Sequence, residues 1–265
     1  MQIEFPILLL LLFILGASVG SFLNVVIYRV PKRMSIIAPR SHCFACKTPI
    51  SFSDNIPILG YFILNGKCRN CKASFSMRYA AVEFLSAVLT CLMYVVFGLS
   101  SNFVIYVLIS YCLIAISFID LDHFIIPNGF IIIGLIGMVF VYSRNYMMQD
   151  WIDGATGSLI FGGFLFLIGV IGEFILKRGS IGLGDVKLGL VLGGFLGSKL
   201  SILALYLSFG SAALMIMILV GMKKIDTSNK IPFGPYLSLG TFFTLISTTK
   251  SGDNFIINWY LHNMF

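Results

Sequence analysis

Residues 102–120 read NFVIYVLISYCLIAISFID, eighteen uncharged residues closed by one carboxylate, Asp120. A helix that crosses a bilayer needs about 20 predominantly apolar residues, so this stretch reads as a membrane span that ends on an ionisable group. Working outward, similar apolar runs cover 5–28, 79–98, 124–143, 153–176, 183–198, 200–221 and 232–249, the run at 183–198 being short and rich in glycine. Hydrophobic residues make up 58% of the chain and charged residues 11%, against roughly 25% charged in an ordinary soluble domain. Mean hydropathy is +0.97. The fold class expected is therefore an all-α polytopic membrane protein with about eight transmembrane helices.

Orientation follows from charge. The run Phe5–Leu15 lacks the basic flank of a secretory signal, carrying Glu4 before it and Arg29, Lys32 and Arg33 after it, so it reads as a retained first helix with its amino end outside. Under that orientation the 29–78 segment holds nine Lys/Arg, the 177–187 loop holds Lys177, Arg178 and Lys187, and the 223–230 loop holds Lys223, Lys224 and Lys230. Only Arg144, Lys199 and Lys250 fall on the other side. Fifteen against three is a strong positive-inside bias. The net charge of +7 is explained by topology and lipid contact, with no nucleic-acid partner required.

Asp120 closes the third apolar run, in Ser117-Phe-Ile-Asp-Leu-Asp-His123, and Asp185 opens the sixth, in Gly182-Leu-Gly-Asp-Val-Lys187. Both then lie at the cytosolic interface. An ionisable group at a membrane edge is costly and marks a functional site by default, and two carboxylates on one face are the minimum for aspartic acid/base chemistry. A cap would also account for Asp185 at a helix start, and a solvated turn accounts for Asp122 and His123 ahead of Pro127. The turn Pro232–Pro235 at the start of the last span is a helix entry that can also support the site. No serine or cysteine nucleophile with a paired base stands out.

The stretch 31–78 is the one segment polar enough to fold outside the bilayer, and it carries Cys43-Phe-Ala-Cys46 and Cys68-Arg-Asn-Cys71. Two C-x2-C knuckles in one short insertion read as a four-thiolate zinc site. The metal would be structural, since four cysteines leave no open position for water, and it would staple a segment too small to bury much core. His42, next to the first knuckle, could substitute as a ligand but reads better as an adjacent polar loop residue. Cys91 and Cys112 lie within apolar runs and read as small core residues. The domains expected are a first helix at 1–30, the cytosolic cysteine domain at 31–78, a membrane-embedded helical bundle at 79–250 and a short tail at 251–265. Gly16 and Gly20, four apart, suit close helix packing.

These residues, taken in order, resemble the bacterial type IV prepilin leader peptidases, including the bifunctional peptidase/N-methyltransferases. The matching strings are Gly16-Ala-Ser-Val-Gly-Ser-Phe-Leu-Asn-Val-Val-Ile-Tyr-Arg-Val-Pro31, both cysteine knuckles, Asn55-Ile-Pro57, Gly66-Lys-Cys-Arg69, Arg78-Tyr79 with Glu83, the Asp120 motif through Asn128, Gly182–Lys187 and Ile231-Pro-Phe-Gly-Pro235. The resemblance implies that Asp120 and Asp185 are the catalytic pair and that the substrates are prepilin or pseudopilin precursors, cut after a glycine that ends a short basic leader. It also implies an inner-membrane location and, because the cysteine insertion marks the bifunctional members, S-adenosylmethionine-dependent methylation of the new amino end. Ala80 departs from the proline usual in that family. No glycine-rich nucleotide loop marks the methyl-donor site, and neither Asn24 nor Glu83 can be assigned to it from sequence. The alternative from another class is a carrier binding a proton or cation at the two aspartates. It requires inverted repeats and midplane charges, and no repeat is visible.

Overall fold

The computed structural model describes residues 4–144, 148–176, 181–223, 231–248 and 254–264. Among these residues there is no β-strand, only isolated bridges. The helices are α1 (Glu4–Arg29), α2 (Leu59–Ile63), α3 (Arg78–Phe97), α4 (Ser101–His123), α5 (Asn128–Arg144), α6 (Met148–Leu176), α7 (Leu183–Gly221), α8 (Gly234–Ile246) and α9 (Phe255–Met264). Each of the eight expected apolar runs holds a helix over most of its described residues. Five helices, α1, α3, α4, α6 and α7, are long and apolar enough to cross a membrane, while α5 and α8 are shorter apolar helices. The protein is thus a multi-pass membrane protein, and the count of eight crossings remains an expectation. The chain divides into two compact units, Met1–Ala115 and Ile116–Phe265.

In the first unit α1 lies against α3 at glycine. A Cβ on Gly16 would sit 2.8 Å from the Ala87 Cα and 2.9 Å from the Ser86 carbonyl oxygen, and one on Gly20 would sit 2.6 Å from the Glu83 Cα. The facing positions on α3 are small, with Ala80, Ser86, Ala87 and Thr90 all buried. Backbones approach this closely only where side chains are absent on one face. The Thr90 hydroxyl meets the Tyr111 hydroxyl at 2.7 Å inside this unit. At the end of α1, buried Arg29 donates to the carbonyls of Ser35 (2.9 Å) and Pro39 (2.7 Å), which ties the polar insertion to the helix.

In the second unit α7 contains a break. Gly197 has φ 72° and ψ −179°, a backbone conformation that a residue with a Cβ adopts only under strain. Asp153 on α6 caps the segment beyond it, its Oδ1 accepting the Ser198 N–H at 3.1 Å. The break separates the two apolar runs expected at 183–198 and 200–221. Gly157 and Gly193 let α6 and α7 touch, since a Cβ on either would collide with the other's backbone. The tail holds a helix that the sequence reading did not assign. Asn254 starts α9, its Oδ1 accepting the N–H groups of Ile256 (3.0 Å) and Ile257 (3.2 Å), an N-cap arrangement.

Candidate active site and metal centre

Asp120 lies in the last turn of α4 and is only 5% exposed. Its Oδ2 accepts the backbone N–H of Gly234 at 2.8 Å. Gly234 is the first residue of α8 and is followed by Pro235. Proline is favoured in the first turn because the N–H it lacks would be unpaired there in any case, so the Gly234 amide remains as a donor at the positive end of the helix. A Cβ on Gly234 would lie 2.9 Å from Asp120 Oδ2. Sequence reading noticed the Pro232–Pro235 turn but not this donor.

Asp185 lies in the first turn of α7. Its Oδ2 accepts the Gly182 N–H at 3.2 Å, so the cap expected from sequence is made, from within the helix rather than from its first flanking position. The other oxygen, Oδ1, is buried and has no hydrogen-bond partner among the described residues. A buried polar atom without a partner costs about 1–3 kcal/mol and calls for an explanation beyond capping. Asp120 supplies one, because the two carboxylates lie close enough to interact electrostatically.

The loop after α4 completes this corner. Phe124, at φ 55°, ends the helix and donates its N–H to the Asp120 carbonyl at 2.9 Å. Ile126 then packs beside Gly184, where a Cβ would come to 3.2 Å from the isoleucine. Lys187 Nζ lies 3.4 Å from Asn128 Oδ1. The strings around Asp120 and Asp185 are therefore joined by two contacts, Ile126 with Gly184 and Asn128 with Lys187. Asp122 and His123 are exposed, as a solvated turn requires.

The cysteine insertion belongs to the first unit. The Sγ atoms of Cys43, Cys46, Cys68 and Cys71 all lie within 4.8 Å of one another, with Cys43 to Cys71 at 3.7 Å and Cys46 to Cys68 at 3.9 Å. Zinc–sulfur bonds of about 2.3 Å in a tetrahedron place sulfurs about 3.8 Å apart, so the donor set fits that ion. The two knuckles are built alike. Lys47 and Lys72, each just after the second cysteine, have φ 59° and 60°, and each donates its N–H to the carbonyl of the first cysteine, at 2.9 and 3.0 Å. The Thr48 hydroxyl, and then the Thr48 backbone, draw the Cys46 thiol down to about 6, favouring the thiolate a metal needs. His42 is not part of the sulfur cluster; its Nδ1 lies 3.0 Å from the Arg40 carbonyl. Cys91 and Cys112 are half-buried.

One contact in this unit was not legible in sequence. Glu83 of α3 accepts the Ile58 N–H at 2.6 Å. Ile58 has φ 65° and ψ −57°, and Leu59 donates to the Pro57 carbonyl at 2.7 Å, which is a γ-turn of the rare, strained hand. The glutamate therefore holds a strained bend, a more specific role than a favourable charge near a helix start. It lines a cavity of about 890 Å³ together with Ser21, Asn24 and Tyr79.

Residues 14–97 match the model of the Bacterial Peptidase A24 N-terminal domain, and residues 107–220 match that of the Type IV leader peptidase family. The prepilin leader peptidase/N-methyltransferase of Aeromonas salmonicida is 32% identical over 279 residues, covering 95% of this chain and 93% of the relative. The type 4 prepilin-like proteins leader peptide-processing enzyme of Escherichia coli is 34% identical, covering 87% of this chain and 90% of the relative. A third relative, the prepilin leader peptidase/N-methyltransferase of Pseudomonas aeruginosa, is 31% identical with 88% of each chain covered. No solved structure matches the chain. With relatives this similar along nearly the whole length, the chain belongs to the type IV leader peptidase family.

Proposed function

We propose that this protein is a membrane aspartic endopeptidase that removes the short basic leader of type IV prepilin-like precursors at the cytosolic membrane face. It also N-methylates the new amino end with S-adenosylmethionine. Family membership supports the peptidase activity, and the relatives' names support the methylation. The observation that carries the assignment to Asp120 and Asp185 is the buried Oδ1 of Asp185, which has no donor and faces the field of Asp120. Two carboxylates in this relation hold one proton between them.

Roles follow from their partners. Asp120, with Oδ2 already on the Gly234 amide, is the carboxylate that takes a proton from a water molecule. The water oxygen then attacks the scissile carbonyl carbon. Asp185, through Oδ1, gives its proton to the carbonyl oxygen. Collapse of the tetrahedral species breaks the C–N bond: the leaving nitrogen takes the proton gained by Asp120, and the hydroxyl formed on the former carbonyl oxygen returns its proton to Asp185 as the new carboxylic acid forms. No acyl-enzyme forms. The lysine and arginine bias supports a position for both carboxylates on the cytosolic side of an inner membrane. Cys43, Cys46, Cys68 and Cys71 would hold a zinc ion that closes the insertion and has no part in hydrolysis.

The test is cleavage of a prepilin-type precursor by detergent-purified protein, comparing wild type with Asp120→Asn and Asp185→Asn. Asparagine keeps the size and cannot ionise. Each variant is expected to lose at least about 10³-fold in rate while remaining folded. Full activity in either variant removes that residue from the chemistry, and a wild type that cuts no such precursor brings the carrier reading forward.

A further inference from the structure

A second, smaller cleft of about 240 Å³ lies where the end of α1 meets two loops of the insertion. Phe22, Val25 and buried Arg29 of α1 form one side, and Ile37, Arg40 and Phe52 stand on the other. Arg29 grips the loop at Ser35 and Pro39 through their carbonyls, at 2.9 and 2.7 Å. The Ser35 hydroxyl accepts the N–H groups of Ile37 and Ala38, both at 3.3 Å. Folded this tightly, the loop turns Ile37 outward, 88% exposed. Alongside, the Ile50 N–H donates to the Ser41 carbonyl at 3.0 Å, and Phe52 just beyond is 83% exposed. The Arg40 guanidinium carbon lies 5.1 Å from the centroid of the Phe52 ring. Two large apolar side chains are thus held outward, one of them under a guanidinium.

The lining selects by charge. Arg29 and Arg40 border the cleft and no carboxylate does. Residues 31–78 hold eight Lys/Arg and a single acid, Asp54, which Arg69 already grips at 2.6 Å. Neither Arg33 nor Arg40 pairs with a carboxylate among the described residues. Ser41, Ser51 and Asn55 add hydroxyl and amide groups. Depth identifies the kind of anion. The apolar run of α1 ends at Tyr28, and from Phe22 to Arg29 the helix rises about 10 Å. That rise covers the passage from acyl chains into a headgroup layer about 5–8 Å thick on each face. A soluble anion would account for the arginines, but it would leave Ile37 and Phe52 in water. Outward apolar side chains rimmed by polar ones mark an interaction surface, and here the rim is basic.

We propose that this cleft seats the headgroup of an anionic phospholipid of the cytosolic leaflet, with Ile37 and Phe52 dipping into the acyl border beside it. Arg40 meets the phosphate, and Ser41, Ser51 and Asn55 meet a hydroxylated headgroup. A choline or ethanolamine cation would face Arg29 and Arg40 with no counter-charge, so zwitterionic lipids are disfavoured. The bound lipid holds the cysteine insertion against the membrane surface, basic side chains and apolar tips acting together as they do in other interfacial segments. The choice of leaflet rests on the orientation proposed above, whereas binding itself does not.

The test uses the full-length protein in nanodiscs of phosphatidylcholine, alone or mixed with phosphatidylglycerol, with the same lipids on both faces so that orientation does not enter. Phe52→Trp is made in a background of Trp151→Phe and Trp259→Phe, and its fluorescence is challenged with lipids brominated on their acyl chains. Quenching is expected in the mixed bilayer and should be weaker in phosphatidylcholine alone. Lipids retained on extraction into detergent are counted by native mass spectrometry. Phosphatidylglycerol should be retained over phosphatidylcholine, and Arg40→Gln should lower its retention about fivefold, the effect of one basic side chain beside an anionic lipid surface. A thermal melt and precursor cleavage in detergent, both expected at wild-type values for Arg40→Gln, show that the variant is folded. Absent quenching, or equal retention of the two lipids, overturns the site. Displacement of the retained lipid by soluble glycerol phosphate assigns the cleft to a free phosphate and overturns the lipid. Unchanged retention in Arg40→Gln overturns the part given to that arginine. Loss of lipid selection alongside normal precursor cleavage by the wild type leaves the peptidase reading intact.

Discussion

Gly234 donates its backbone N–H to Oδ2 of Asp120 across 114 residues of sequence. The first amide of one helix thereby fixes the carboxylate at the end of another. A side chain at 234 would stand 2.9 Å from that oxygen, closer than ordinary packing allows. Gly234→Ala is therefore expected to displace Asp120 and lower precursor cleavage by about 10²-fold, the cost of a shift near 1 Å at a reacting group. Gly129→Ala, where an added Cβ meets nothing within 4 Å, is the control and should cleave normally. Cleavage rates of the two purified variants, with thermal melts to confirm folding, decide the matter.

Asp122 is two residues from Asp120 and exposed. Its replacement by Asn should leave cleavage within about twofold, because an exposed carboxylate does not share the proton held by a buried pair. The same assay on Asp120→Asn gives the contrast. Equal losses in the two variants would mean that the sequence string, and not the buried carboxylate, is what matters.

The sulfur cluster predicts metal dependence in the insertion. Cys46→Ser or Cys68→Ser should lower bound zinc from about one equivalent to near zero and open the 31–78 segment to protease, since a small metal-stapled fold loses its folding free energy with the ion. Acid acts in the same direction. Zinc displaces a proton from each thiol it binds, and within the cluster Thr48 draws the Cys46 thiol down to about 6 while burial and the neighbouring sulfurs leave Cys71 raised to about 11, so zinc uptake by the metal-free protein should decline as pH falls. Metal content by mass spectrometry against pH measures this, and precursor cleavage by zinc-free protein tests whether the ion is purely structural.

Gly20 and Gly16 set the α1–α3 distance. Gly20→Ala would put a methyl 2.6 Å from the Glu83 Cα, a backbone atom that cannot turn aside. Overpacking of this kind costs about 1–3 kcal/mol, which should appear as a lower melting temperature in detergent. Gly163→Ala, with nothing within 4 Å, should melt like wild type.

Much of this was legible in the sequence because the relevant physics is local. An apolar run of span length must be helical, and each expected run holds a helix. Two C-x2-C pairs in one polar segment leave few ways to fold, and their sulfurs meet. Asp185 was marked by its glycines, and the cap it makes uses only neighbouring residues. What stayed hidden depends on partners far along the chain. The Gly234 amide reaches Asp120, and Glu83 reaches the bend at Ile58 25 residues away; neither contact leaves a periodic trace. The α9 helix had a local signal after all, an asparagine before Phe-Ile-Ile, but a segment so short carries too little periodicity to assign.

The break at Gly197 supplies the last prediction. Asp185 opens the first half of α7, so the direction of that half decides where the carboxylate points. The break depends on φ 72° at Gly197 and on the Asp153 carboxylate, which receives the Ser198 N–H at 3.1 Å and stands where a Cβ on Gly197 would go. Gly197→Ala meets two penalties together, about 1–3 kcal/mol for a Cβ in an extended positive-φ conformation that is essentially confined to glycine and a collision with Asp153. The chain is expected to relieve both by straightening α7, which moves Asp185 relative to Asp120. Cleavage should then fall by about 10-fold or more, with zinc content unchanged because the cysteines belong to the other unit. Gly210→Ala, on the same helix with nothing within 4 Å, should leave both untouched. If Gly197→Ala cleaves like wild type, the break serves packing alone and the aim of Asp185 is set within its own first turn, by the Gly182 amide.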